Sequence, residues 1–421
     1  LNLSPELESA HARLAAHYRA RHAAAEAEAD TAAATRFEAL LRAHDQGEHR
    51  GYLCGEGLVS LVTTPAGARV DLYTYVVRDR RLVPELRGPL GRTPLRRVPI
   101  PHGSHLLVLR AAGCCPVRYP VSIRRQEHWD GVGPGGAEPV AVRLPRAAEL
   151  GPDDVFVPPG WFVAGGDRGA VGSMPATRAW CDGFVIGRFP VTNAQFIEFL
   201  DALVRAGRPD EALRAAPRER GGTVGELGAL IYGRDARGYF HLRPDAEGDE
   251  WLPGWPVTMV DWHGALAYAN WRAARDGLPW RLPAELEWEK AARGVDGRPY
   301  PFGDYLDPTW ASMHSSHPGP ILLSTVDAFP GDESPYGARG LAGNTRDWCL
   351  DRLLPGGPWL ADGRVVVPRP DPGPGDLLVC RGGDCGASAR DARATFRMAV
   401  APSNRVGTLG FRLARSLKGA A

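Results

Sequence analysis

The sequence predicts a mixed α/β (α+β) protein in three parts: N-terminal helices, a small all-β sandwich, and a large α/β domain with much irregular structure. Residues 1–50 are rich in Ala, Glu, Arg and Leu, and their single proline is Pro5. Residues 51–147 contain short apolar runs separated by Gly and Pro turns. Beyond residue 155, three helix signals lie among stretches rich in turns and aromatic residues. The chain of 421 residues is also longer than a single hydrophobic core usually supports, which predicts more than one domain.

The composition excludes several classes of function. A hydrophobic content of 44% with 24% charged residues is typical of a soluble globular protein, and the net charge of +1 argues against a nucleic-acid partner. No apolar run approaches the roughly 18–20 residues that span a bilayer, so no membrane partner is expected. The seven cysteines are scattered and odd in number, which predicts a reducing cytoplasm rather than a disulfide framework.

The first part, residues 1–50, is predicted to form two helices. Ser4 can cap the first helix with Pro5 at its first position, and Gly47 ends the second. The stretch "LNLSPELESAHARLAAHY" resembles the end of a tetratricopeptide-type helical array. Because such arrays need about three repeats to be stable, we expect further repeats upstream in the same polypeptide.

The second part, residues 51–147, is predicted to be an antiparallel β-sandwich, since runs such as "VRYPVSI" alternate apolar and polar residues. Its stretches "TTPAGARVDLY" and "LGRTPLRRVPIPHGSHLLVLRAAG" resemble the PEGA domain, which implies a spacer or anchor without chemistry. The pair His102 and His105 has metal-ligand spacing, but no further ligand supports a metal site. Residues 148–154 are predicted to be a linker.

The third part carries three helices with clear start and stop signals. Thr192 and Gln195 form a capping box before an apolar helix. Asp261 is the expected N-cap of the second helix, and Gly277 its C-terminal stop. The third helix is expected between Pro283 and Gly294.

The motifs "VTNAQ", "RLPAELEWEKAARG", "AGNTRDW", "RGG" and "GFR" occur in one order and closely resemble the formylglycine-generating-enzyme-like (sulfatase-modifying factor) family. The resemblance covers residues 155–417, before a tail at 418–421, and it implies a C-type-lectin-like fold. The whole arrangement resembles the C-terminal parts of bacterial Ser/Thr kinase fusions. The large domain also resembles the variable proteins of diversity-generating retroelements.

The cysteine pair Cys380 and Cys385 raises the question of an enzyme. Catalytic members of the family bind Cu(I) through C-x4-C and oxidise a substrate thiol. The pair here has that spacing but lies too early in the sequence. Counted from the Gly-Gly of "RGG", the positions of the family's catalytic cysteines are occupied here by Ala387 and Ala392. We therefore predict no catalytic residue in this chain. A copper- or iron-dependent oxidase with relocated ligands stays open as the alternative.

No cofactor is predicted with certainty, but the resemblance also implies a possible structural Ca²⁺ site. Its ligands would be Asp347 and the carbonyl groups of Gly340, Gly343 and Thr345, because hard cations prefer oxygen ligands from irregular loops. Gly340 stands where the family often has Asp or Asn, which removes one side-chain ligand.

The segment between "RGG" and "GFR" is predicted to face a ligand, since it lies on the ligand-facing surface of the lectin-like fold. We predict that it binds a protein or small-molecule partner through the side chains of Asp384, Arg390, Arg393, Arg397, Met398 and Arg405. For Arg393 and Arg397, structural ties to backbone or carboxylate groups are the open alternative. The predicted function is a noncatalytic recognition module of a bacterial signalling protein.

Overall fold

A computed structural model describes residues 5–28, 30–220, 227–245, 248–319 and 321–417. The predicted cap Ser4 and the tail 418–421 lie outside the described residues. The α-helices in these ranges are α1 (Pro5–Ala27), α2 (Thr31–His44), α3 (Arg50–Cys54), α4 (Asn193–Arg205), α5 (Pro209–Ala215), α6 (Trp262–Asp276) and α7 (Glu285–Arg293).

The strands in the same ranges are short and numerous. They are β1 (Glu56–Leu61), β2 (Thr63–Thr64), β3 (Arg69–Arg78), β4 (Arg81–Arg92), β5 (Leu95–Pro101), β6 (Gly103–Arg110), β7 (Val117–Ile123), β8 (His128–Trp129), β9 (Val142–Arg143), β10 (Asp154–Val157), β11 (Gly160–Ala164), β12 (Thr177–Cys181), β13 (Phe184–Gly187), β14 (Arg218–Arg220), β15 (Leu227–Leu230), β16 (Gly233–Arg234), β17 (Phe240–His241), β18 (Arg346–Arg352), β19 (Leu360–Ala361), β20 (Arg364–Val365), β21 (Leu378–Arg381), β22 (Arg397–Val400), β23 (Leu409–Gly410) and β24 (Ala414–Ser416).

The chain divides into two compact units. The first contains residues 1–60, 95–103 and 122–130, and the second contains residues 61–94, 104–121 and 131–421. These units divide the chain differently from the three predicted domains, whose limits stay a prediction. No helix of the described residues is long and apolar enough to cross a membrane.

The first unit combines the N-terminal helices with a three-stranded sheet in the order β5-β1-β8. The two predicted helices are present as α1 and α2, which pack against each other around the buried residues Ala15, Leu41 and Tyr52. The imidazole of buried His22 lies 2.6 Å from the Tyr52 hydroxyl. Arg125 donates to Glu38 at 2.8 Å and so ties the sheet to the helices within this unit.

The second unit contains the four-stranded sheet β4-β3-β6-β7. Its long hairpin pairs β3 with β4 in antiparallel register from Arg69 opposite Arg92 to Arg78 opposite Arg81. Alternating burial along β7 fits the alternation read from "VRYPVSI". The antiparallel pairing in this sheet agrees with the prediction, whereas β1 with β8 and β2 with β9 pair parallel. The sandwich arrangement and the PEGA resemblance stay predictions.

The helices of the large domain follow their local signals. Thr192 and Gln195 make the reciprocal hydrogen bonds of a capping box at the start of α4. Asp261 caps α6, which ends at Gly277 in the left-handed conformation. Helix α7 begins after Ala284, slightly later than predicted, and ends at Gly294.

Helix α7 is the centre of the large domain, and its residues are all buried. Lys290 donates to the carbonyl oxygens of Pro158, Gly160 and Cys181 at 2.8, 3.2 and 3.3 Å. Burial lowers the Lys290 pKa to about 8. These contacts fasten irregular loops to one helix, because backbone groups without a strand partner still need hydrogen bonds.

The sheet β22-β21-β18-β23 positions the C-terminal segment. Its central strand β21 is buried at each residue and pairs antiparallel with β18 and β22. Strand β23 runs parallel to β18 on the other side. The observed fold thus agrees with the predicted mixed α/β class with much irregular structure.

Candidate functional site

The cysteine pair lies in the core of the domain. Cys380 is fully buried in β21, opposite Trp348 and Met398. Cys385 is 5% exposed, and its backbone N–H donates to the carbonyl of Asn344 at 3.0 Å. Burial raises the pKa of both thiols, so neither is poised as a thiolate. The interpretation of Cys380 as part of a core strand is confirmed.

Two of the predicted ligand-binding residues are buried and ion-paired. Arg397 makes a bidentate pair with Glu285, at 2.6 and 2.9 Å, and both side chains are almost fully buried. Asp384 is 4% exposed and pairs with Arg346. The placement of Asp384 on an exposed surface was therefore wrong, because its buried charge needs a partner. For Arg397, the structural alternative left open by the sequence is the one that the structure shows.

Arg393 and Arg405 also hold the fold together. Arg393 donates to Asp167 at 2.6 Å. Arg405 donates to Asp261 at 2.6 Å and to the carbonyls of Ala216 and Arg214 at 2.6 and 2.9 Å. The structural alternative considered for Arg393 is thus correct.

Arg390 and Met398 are accessible predicted ligand residues, and Arg393 is also partly exposed beside its ion pair. Arg390 is exposed, and Met398 is half-buried on β22. The ligand-facing part of the segment is consequently smaller than the sequence predicts.

Two of the predicted calcium ligands, Asp347 and the Gly340 carbonyl, accept hydrogen bonds from the Arg412 guanidinium group. Arg412 donates to Asp347 Oδ2 at 2.5 Å and to the Gly340 carbonyl at 2.7 Å, and the Trp288 indole donates to the same Asp347 oxygen at 2.8 Å. The Gly343 carbonyl accepts from the Thr345 N–H at 3.0 Å. Burial raises the Asp347 pKa, although the Arg412 charge and the Trp288 hydrogen bond oppose the shift.

A calcium ion at this place would have to displace Arg412 from both oxygens. Asp347 Oδ1 is buried without a partner, but one free oxygen falls short of the several that Ca²⁺ requires. The arrangement does not fit the ion. Ca²⁺ binding itself stays a prediction.

A cavity of about 830 Å³ lies beside Arg405. Helices α4, α5 and α6 form its walls, and Phe199, Leu203 and Trp271 supply its larger apolar surfaces. The volume lies in the range of small-molecule sites, which are usually apolar with a few placed polar groups.

The polar lining of this cavity carries a cationic excess. Arg208, Arg214 and Arg405 face two carboxylates, Glu211 and Asp261. Arg208 pairs with Glu211, and Arg405 pairs with Asp261. Arg214 has no ion pair within the described ranges of the chain, so one guanidinium is available to an anion.

The chain matches known proteins mainly over its C-terminal two thirds. The family model described as "sulfatase-modifying factor enzyme 1-like domain" matches residues 141–417. The chain belongs to this family. The "formylglycine-generating enzyme" of Streptomyces coelicolor is 30% identical over 310 residues, covering 66% of this chain and 93% of that protein.

Two further relatives differ in their stated activities. "Serine/threonine-protein kinase Pkn1" of Chlamydia trachomatis is 29% identical over 275 residues, covering 63% of this chain but only 38% of the kinase. "Inactive C-alpha-formylglycine-generating enzyme 2" of Mus musculus is 30% identical over 304 residues, covering 65% and 89% of the two chains. The predicted family and its occurrence in kinase fusions are thus confirmed.

Within the sulfatase-modifying factor family, catalysis was expected to require cysteines at Ala387 and Ala392. Both alanines are buried, at 1% and 0% exposure. A methyl group cannot ligate copper, so these two positions do not fit Cu(I). Among the described residues, no group of three or more His, Cys, Asp and Glu side chains could hold a metal ion.

The sequence interpretation missed the cavity-lining residues of α6. His263, Ala267, Asn270, Trp271 and Ala274 recur at intervals of three and four, so they share one helix face. This face combines alanine, polar residues and one tryptophan, which is weaker than a continuous apolar stripe. The missing apolar residues on this face were the sequence feature that could have indicated a helix face not fully covered by the core.

Proposed function

We propose that the sulfatase-modifying factor domain of this chain is a noncatalytic recognition module of a bacterial, cytoplasmic multidomain signalling protein. It binds a protein or small-molecule partner at the cavity beside Arg405 and at the neighbouring accessible part of the C-terminal segment. The cavity carries the proposal, because it combines a site-sized volume with an aromatic wall and an available guanidinium.

The absence of catalysis has separate support. Ala387 and Ala392 replace the cysteines implied for catalytic members, and the described mouse relative is named as inactive. The signalling context is supported by the Chlamydia kinase, which contains a similar region over part of its length. Diversification of the segment by a retroelement stays a prediction.

The chemistry of the cavity favours an anionic group attached to a planar apolar body. The partly exposed Trp271, backed by buried Phe199, can pack against a ring, while the Arg214 guanidinium can pair with the anionic group. An aromatic sulfonate, anilinonaphthalene sulfonate, has this combination and changes its fluorescence on binding. It is therefore a suitable probe.

The test is a fluorescence titration of the full chain with this probe. Ala274→Trp should fill the cavity from an exposed position and weaken binding by about tenfold or more, which corresponds to about 1.4 kcal/mol. Arg214→Met should weaken it through loss of charge, whereas the exposed control Arg237→Met should not. Equal binding by all four proteins would contradict the proposed site.

A further inference from the structure

A second cavity, of about 300 Å³, lies within the second unit between the β3–β4 hairpin and residues 298–335. Its lining combines apolar residues with several charged and polar side chains. Three arginines and one glutamate contribute to it, together with a tyrosine and a serine: Arg81, Arg118, Arg298, Glu333, Tyr75 and Ser334. This cavity shares no lining residue with the one beside Arg405.

The arginines around the cavity are not all neutralised by carboxylates. Arg298 pairs with Asp296 at 2.6 Å, and Arg118 pairs with Glu333 at 2.9 Å. Glu333 also pairs with Arg339, so its charge is divided between two guanidinium groups. Within the described chain, Arg81 forms no ion pair and instead lies over the Trp310 ring, 5.2 Å from its centroid. The cavity therefore has an excess of positive charge.

Several buried donors at the cavity have no hydrogen-bond partner. They are the hydroxyl of Tyr75 and the Nε groups of Arg81 and Arg118. Tyr75 is only 9% exposed, and Arg298 lies 4.4 Å from its ring centroid. Burial raises the Tyr75 pKa, and the charges of Arg298 and Arg118 oppose the rise, although neither guanidinium reaches hydrogen-bond geometry with the hydroxyl.

Buried donors without an acceptor destabilise the fold, so a cluster of them indicates a missing acceptor. The acceptor must be anionic, because guanidinium groups supply most of the lining charge. It must also offer several oxygens to donors that approach from three residues. A phosphate monoester has about two negative charges at neutral pH and three terminal oxygens.

We propose that this cavity binds the phosphoryl group of a phosphate monoester. Arg81 and Arg118 neutralise its charge, and the Tyr75 hydroxyl donates to one of its oxygens. The open side of the cavity leaves room for the organic part of the ester. A free small phosphate ester and a phosphorylated serine side chain present this same group.

The experiment is calorimetric titration of the full chain with four probes: O-phosphoserine, a phosphoserine peptide, the same peptide unphosphorylated, and inorganic phosphate. We expect one-to-one binding of the phosphate monoesters and none of the unphosphorylated peptide. Tighter binding of the peptide than of O-phosphoserine would identify a protein-borne source, and the reverse order a free ester. Binding of inorganic phosphate alone would overturn the proposal.

Variants separate the site from nonspecific charge. Arg81→Met should weaken monoester binding by about tenfold or more, since a charge-assisted hydrogen bond is lost, and Arg81→Lys should retain part of it. Tyr75→Phe should weaken binding more modestly and leave the fold intact. Arg237→Met is the exposed control with the same charge change.

The unfolding midpoint of each variant is measured alongside the titration. Arg81 has no ion pair to lose among the described residues, and methionine can still pack on the Trp310 ring, so the unfolding midpoint of Arg81→Met should stay close to that of the unaltered chain. Monoester binding that persists unchanged in both Arg81→Met and Tyr75→Phe would overturn the assignment.

Discussion

At the scale of single residues, buried ion pairs decide which side chains of the C-terminal segment are structural. Arg397 and Glu285 are 112 positions apart, and both are almost inaccessible to solvent. Breaking a buried pair costs more than its net contribution, because the remaining charge stays buried without compensation.

Arg397→Ala should therefore lower the free energy of unfolding by about 3–5 kcal/mol. The neighbouring exposed Arg390→Ala should change it by less than about 0.5 kcal/mol. Urea denaturation of both variants measures the difference. Similar stabilities for the two would contradict the structural role of Arg397.

Gly383 illustrates a close backbone approach. A Cβ at this position would lie 2.0 Å from the Ala342 carbonyl oxygen, whereas a Cβ at Gly386 would meet only ordinary contacts, at 3.5 Å or more. Gly383→Ala should reduce the free energy of unfolding by about 1–3 kcal/mol through overpacking. Gly386→Ala is the matched control and should unfold like the unaltered chain in the same assay.

Asp332 should make stability depend on pH. Burial raises its pKa to about 6, and one of its oxygens accepts from the Ala342 N–H at 2.9 Å. Because the folded-state pKa exceeds the unfolded value, the folded state holds the proton more tightly. The group's contribution is complete below about pH 4 and is lost as the pH rises through about 6.

Asp332→Asn should remove this dependence while keeping the acceptor for Ala342. The difference in unfolding free energy between the unaltered chain and the variant should change by up to about 3 kcal/mol between about pH 4 and about pH 7. Denaturant titrations at several pH values measure it. A constant difference would show that Asp332 has an ordinary pKa.

At the scale of elements, local sequence signals predicted the ends of the helices better than they predicted the residues of the candidate site. The caps of α4 and α6 join residues only three positions apart, so the sequence itself presents both partners. The ion pair between Arg405 and Asp261 joins residues 144 positions apart, so no local sequence pattern predicts it. For this reason the fold class and helix ends were predictable, while the exposure of the segment and the cavity were not.

Asp261 serves both as the cap of α6 and as the partner of Arg405. Asp261→Asn should keep the cap, since Asn is equally suited to it, and lose only the charge. Asp261→Ala should lose both and be less stable than Asp261→Asn by about 1 kcal/mol. Urea denaturation of the two variants separates the roles, and equal stability would mean that the cap contributes nothing.

At the scale of the whole molecule, the second unit joins its β-sheet to the sulfatase-modifying factor domain. Ser104 donates to Asp296 at 2.6 Å, and the Leu82 N–H donates to the Phe302 carbonyl at 2.9 Å. The predicted linker is likewise held, because Arg415 donates to the Glu149 carbonyl at 2.6 Å. Both cavities thus lie on a scaffold whose hydrogen bonds join residues far apart in the sequence.

The central claim, that the domain recognises a partner without oxidising a thiol, is tested most directly by a product assay. The full chain is incubated with copper, oxygen, a reductant and a cysteine peptide derived from a sulfatase, with the Streptomyces coelicolor formylglycine-generating enzyme as positive control. Mass spectrometry should find the peptide cysteine unchanged in the presence of this chain. Conversion of that cysteine to the aldehyde, abolished by Cys385→Ser, would contradict the account.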